Sequence, residues 1–72
     1  MVVVWVVDFV VCFGGDVVDE GIRGFCVRSD MIEFVRKLRD RSVRNGEKVV
    51  VCVSDNRGNF KGLCFDNGGV NY

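Results

Sequence analysis

SDMIEFVRKLRDRSVRNG, residues 29–46, decides the fold, because it is the only segment whose apolar residues recur at helical spacing. Met31, Phe34, Val35 and Leu38 fall at i, i+3, i+4 and i+7, one stripe that must be covered by something else. The spacing predicts a single helix. Asp30 followed three residues later by Glu33 predicts a variant capping box, with a carboxylate on the free first-turn N–H groups. Asn45-Gly46 predicts a left-handed stop.

The segments on either side read as strands. Residues 48–54, KVVVCVS, and 59–65, NFKGLCF, are joined by Asp55-Asn56-Arg57-Gly58 and form the clearest hairpin in the chain. Upstream, residues 22–28, IRGFCVR, alternate and lead into the helix. The clusters Gly14-Gly15-Asp16 and Asp19-Glu20-Gly21 flank Val17-Val18 and read as turns closing a first hairpin. Residues 1–13, MVVVWVVDFVVCF, form a nearly unbroken apolar run. A spanning helix needs about 20 apolar residues, and Asp8 interrupts this run. It also lacks the basic start and small-residue cleavage site of a signal peptide. A strand in a soluble protein is expected, without a membrane role and with a reducing compartment favoured. The tail, residues 66–72, reads as irregular, with Val70 and Tyr72 able to pack back.

The predicted class is α+β: one helix packed on a four-stranded, mainly antiparallel sheet in the order ββαββ, a single small domain over residues 1–72. A rival is a small barrel in which the first strand bends at Asp8 or Gly14. In the first strand, Val2, Val4, Val6 and Val10 share one face, and Val3, Trp5, Val7, Phe9 and Val11 the other. One helix covers one side only, so an apolar sheet face is left for a second copy or another protein. Val3, Trp5, Val7 and Phe9 are the candidate interface.

At 72 residues, the chain buries only about 60% of its unfolded surface, enough for one core. Hydrophobic residues make up 49% and charged residues 28%, a globular composition, and the net charge is zero. That balance excludes a global attraction to nucleic acid or acidic membrane, so an electrostatic partner must be read by a local patch. Ala, Pro, Thr, His and Gln are absent. In the standard code these are the residues whose every codon carries cytosine at the first or second position. The bias therefore points to the gene: a restricted synthetic or selected nucleotide set, uridine insertion into a transcript, or a cytosine-poor genome.

Catalytic chemistry is hard to build here. Without His, a Ser or Cys nucleophile lacks its usual base, and Ser29, Ser42 and Ser54 read as cap, helix surface and strand end. Asp16, Asp19 and Glu20 match no EF-hand spacing, and the glycines fit neither phosphate-binding pattern. Cys12, Cys26, Cys52 and Cys64 lack zinc-ligand spacing and read as buried thiols among apolar neighbours. Cys52 could meet Cys64 across the hairpin in one register, whereas a one-residue slip separates them by a face. No enzyme, metal or cofactor is expected.

Charge is uneven along the chain. Residues 1–20 carry Asp8, Asp16, Asp19 and Glu20 and no cation, while cations concentrate over residues 28–48. Arg36, Lys37, Arg41, Arg44, Arg57 and Lys61 are candidate RNA contacts. The competing reading is a solvated helix face held by i, i+4 pairs. The expected function is a non-enzymatic binding protein, self-associating or part of a larger assembly, with RNA contact through the basic helix. The alternative is an artificial or library-selected protein with no evolved role.

Overall fold

A computed structural model describes residues 4–66 and 69–71. The elements follow in the order β1 (Trp5–Phe13), β2 (Asp16–Phe25), α1 (Arg28–Asn45), β3 (Lys48–Asp55), β4 (Phe60–Asp66) and β5 (Gly69–Asn71). The protein is α+β, with the helix between the two hairpins.

Helix α1 begins at Arg28. Val27 is the extended residue before it, and its carbonyl accepts the Met31 N–H at 3.2 Å. No side chain caps this end. The expected box of Asp30 and Glu33 does not form, because a start at Arg28 puts Asp30 inside the first turn rather than before it. There its charge still complements the positive helix end. The other end is as read: Gly46 adopts φ 65° and gives its N–H to the Ser42 carbonyl at 3.0 Å.

All strand neighbours are antiparallel, in the spatial order β2-β1-β3-β4-β5. Strands β2 and β3 both pair with β1, so they run the same way on either side of it, and α1 is the crossover between them. Gly14 and Gly15 have φ of 61° and 87°, and Phe13 pairs with Asp16. This two-residue turn needs positive φ at both positions, which glycine supplies without strain. Pairing therefore starts at Asp16, so β2 begins earlier than Ile22 and Asp19-Glu20-Gly21 lies within the strand. An edge strand tolerates such polar residues. The register slips once, Val11 facing Asp19 and Cys12 facing Val17, with Val18 as the extra residue of a bulge.

The second hairpin turns over Asn56, Arg57 and Gly58, with φ 86° at Gly58. The Asp55 carboxylate accepts the N–H groups of Arg57 and Asn59 at 2.9 and 3.0 Å and the Asn59 amide at 3.2 Å. The tail is not wholly irregular: Gly69–Asn71 pairs with β4, Val70 opposite Phe65. Val2, Val3 and Tyr72 lie outside the described residues.

The ladders assign the faces. Trp5, Val7, Phe9 and Val11 of β1 align with Asp55, Val53, Val51 and Val49 of β3, and the last three in turn with Lys61, Leu63 and Phe65 of β4. On this face Val7, Val11, Val49 and Val51 are fully buried and pack with Phe65 and with Met31 and Leu38 of the helix. The predicted helical stripe is the one used, since Phe34 and Val35 complete the packing.

The same stripe continues to Ser42, which is buried rather than on the helix surface. Its Oγ donates to the Glu47 carbonyl at 2.6 Å, fixing the chain as it leaves the helix. Ser42→Ala is expected to cost about 1–3 kcal/mol, because the buried carbonyl loses a donor. Urea unfolding checks this, with a lower midpoint and an unchanged slope.

Candidate interaction surface

Among the described residues the opposite sheet face carries no helix. Its cross-strand rows are Gly24-Val6-Ser54-Phe60, Ile22-Asp8-Cys52-Gly62, Glu20-Val10-Val50-Cys64 and Val17-Cys12-Lys48-Asp66. Val17, Ile22 and Val50 are 58%, 66% and 44% exposed. Side chains of this size are ordinarily covered, and here they sit on one surface.

Trp5, Val7 and Phe9, expected at an interface, lie on the helix side. Val7 is wholly buried and Trp5 and Phe9 pack against the core. Because β1 is apolar on both faces, alternation alone leaves its orientation open. The residues it turns outward are Val6, Asp8, Val10 and Cys12. Val3 lies outside the described residues.

Cysteine exposure also differs from expectation. Cys12 and Cys64 are half-buried, and Cys26 and Cys52 are exposed. Cys52 faces Gly62, while Cys64 faces Val50, so the two share the open face diagonally. A diagonal offset of about 7–8 Å between Cα positions does not bring the Cβ atoms to bonding distance, and no disulfide joins them. Among the described residues no cluster of Cys, Asp or Glu is arranged to hold a metal ion. No described helix is long and apolar enough to cross a membrane.

The candidate RNA-contact cations do not converge. Arg41 is half-buried and engaged within the protein: Nε and Nη2 reach the two Glu47 carboxylate oxygens at 2.8 and 3.5 Å, and Nη1 reaches Asp19 Oδ2 at 2.7 Å. One guanidinium thereby ties β2, α1 and the segment before β3 together. Lys37 stands 3.9 Å from Glu33 one turn earlier, with both side chains well exposed, a pair worth little in water. Arg44 is exposed in the last turn, and Arg57 sits at the tip of the second hairpin. Arg36 and Lys61 line a common groove.

The Arg41 cluster sets a pH dependence. Its guanidinium holds the Glu47 carboxyl below the ordinary range, helped by the Asn45 amide at 3.0 Å. It does the same for Asp19, helped by the Glu20 N–H. The Asp55 carboxyl is lowered first by the Arg57 N–H and then by Asn59. All three are acids whose folded values lie below their unfolded ones. Their stabilisation is complete above the ordinary values of 3.8 and 4.5 and is lost as pH falls from there through the folded values. The melting temperature is expected to be flat from pH 7 to about 5.5 and to fall below about 4.5. Arg41→Gln should flatten that fall.

No family model, no curated protein and no solved structure matches this chain.

Proposed function

We propose that the protein is a non-enzymatic interaction module that pairs with a second copy through its open sheet face. The observation that carries this reading is the Val10-Val50 pair, an apolar centre between Glu20 and Cys64 in its row, with Asp8 one row to one side on β1 and Lys48 one row to the other on β3. A two-fold axis along that row sets each Asp8 row against the partner's Lys48 row. Along the two central strands the face is thus complementary to itself, as a closed dimer requires, with the exposed Glu20 and Asp66 at its margins on β2 and β4. Sheets packed face to face cross at about 30° and interleave side chains across about 10 Å.

Size supports the same reading. The molecule measures 37 × 20 × 18 Å. Its broad face offers on the order of 700 Å², so pairing two copies buries about 1,400 Å², within the usual range for stable complexes.

The test uses Cys52, which is exposed on this face, and Cys26, which lies beyond the end of β2. Alkylation of the native protein should slow at Cys52 as concentration rises from about 1 to 100 µM, the range of ordinary dimer affinities, while Cys26 keeps its rate. Equal behaviour of the two thiols at every concentration would overturn the reading.

A further inference from the structure

The helix leaves part of its own side of the sheet uncovered. Between α1 and β3–β4 runs an apolar groove of about 230 Å³, floored by Val53 and Leu63 and walled by Met31, Ile32 and Val35. Arg36 on the helix and Lys61 on the strand stand at its rim. A second hollow of about 260 Å³ shares Met31, Val53 and Lys61 and extends the groove to Trp5 and Arg28.

Helical spacing makes this flank basic. Arg28, Ile32 and Arg36 follow at i, i+4 and i+8, and Arg39 falls on the same side. Asp30 and Glu33 border a different hollow, with Arg23 and Phe25. Arg28 and Arg36 make no ion pair among the described residues. Asp55, at the far end of the extended groove, already accepts the N–H groups of its own turn, and Asp40, one helical turn beyond Arg36, borders a different hollow with Val43 and Arg44.

We infer that this groove binds a single-chain anionic amphiphile, a medium-chain fatty carboxylate, with its hydrocarbon on Val53 and Leu63 and its carboxylate between Arg36 and Lys61. Three features select that occupant. The rim is cationic and the floor apolar, so the ligand must carry one charge and a long apolar part. Strands β3 and β4 pair with each other beneath the groove and offer no free backbone groups, so a peptide laid there would leave its own N–H and C=O groups unmet. The site is concave and narrow, below the roughly 300–1,000 Å³ of pockets for drug-sized ligands, which suits one chain and not a flat bilayer.

Trp5 is the chain's one tryptophan and lines the extended groove, so its emission reports occupancy. Decanoate, titrated below its micelle-forming concentration, should shift that emission saturably. Arg36→Gln with Lys61→Gln should weaken decanoate about three- to tenfold, as for two partly exposed ion pairs, and leave the response to 1-decanol unchanged. Both substituted side chains are exposed, and circular dichroism confirms that the double variant is folded. Val50→Asp, on the opposite face, should keep the decanoate response whether or not the protein still dimerises, which separates this inference from the self-association reading. No saturable shift, or equal decanoate affinity in the double variant, would overturn it. So would binding of an oligouridylate that is lost in the double variant while decanoate gives no response.

Discussion

Val51→Asp is expected to unfold this protein, whereas Val50→Asp, one residue earlier, is expected to leave it folded. Val51 is fully buried, between Phe9 on β1 and Leu63 on β4 in the ladder and beneath the helix. A carboxylate there has no cation within the core, and a buried unpaired charge is not tolerated. For 72 residues total stability is on the order of 4–10 kcal/mol. Breaking the solvation of one buried charge, together with the lost packing of a Val, costs about 4–6 kcal/mol, from about half to all of that margin. Val50 points the other way and is already 44% exposed, so the same carboxylate stays in water. Far-UV circular dichroism melts of the two variants read the difference directly. Equal effects would mean the sheet faces are assigned wrongly.

Gly21→Val carries the next largest effect, and it arises at the edge of the sheet. Gly21 pairs with Phe9, and the Phe9 ring lies across it. An added Cβ would stand 2.8 Å from the Phe9 Cζ, too close for any real contact. The ring cannot simply swing away, because its edge packs on Phe34 at 5.6 Å between centroids, and Phe34 in turn holds Phe25 at 5.4 Å and Arg23 at 5.2 Å. A valine there displaces this aromatic cluster at a cost of about 1–3 kcal/mol. At roughly 4–8 °C per kcal/mol for a domain of this size, the melting temperature should drop by about 5–20 °C. A thermal melt unchanged within 2 °C would show that the ring relaxes without loss.

The helix was legible because its signals agree. Met31, Phe34, Val35 and Leu38 repeat at helical spacing, and Gly46 stops them with the one backbone geometry glycine adopts freely. The second hairpin was equally plain, since Asp55 and Gly58 are residues that close turns. What stayed hidden is physical in origin. Asp19-Glu20-Gly21 has turn composition, but it lies on an edge strand whose backbone is paired along one side only, and there the ladder with β1 prevails. Ser42 continues the buried stripe at the expected spacing, and its hydroxyl disguises it until its acceptor at Glu47 is seen.

The orientation of β1 is the most instructive case. Both of its faces are apolar, so period-2 reasoning finds two surfaces without ranking them. The ranking comes from the neighbours: Gly21, Arg23 and Phe25 on one side, and Val49, Val51 and Val53 on the other, build a continuous floor for the helix with Trp5, Val7, Phe9 and Val11. The remaining parity then faces out, and the candidate surface moves to Val6, Val10 and Val50. The cations followed a similar course. Arg41 looked like its neighbours in sequence, but only the fold brings Asp19 and Glu47, 22 and 6 residues away, onto its guanidinium.

The absent residue types leave a visible mark on the architecture. With no Ala or Thr available, Val supplies the small strand positions on both faces, and one face of a Val-rich sheet beyond the reach of a single helix is apolar by default. The self-association proposed above rests on that composition and on packing alone, whatever the origin of the gene.

Sedimentation equilibrium of the reduced protein and of Val50→Asp tests this claim most directly. The wild type is predicted to sediment as a dimer that dissociates on dilution, and Val50→Asp as a folded monomer throughout. A wild type that remains monomeric at 100 µM, a concentration at which even interfaces of ordinary affinity are occupied, would contradict it.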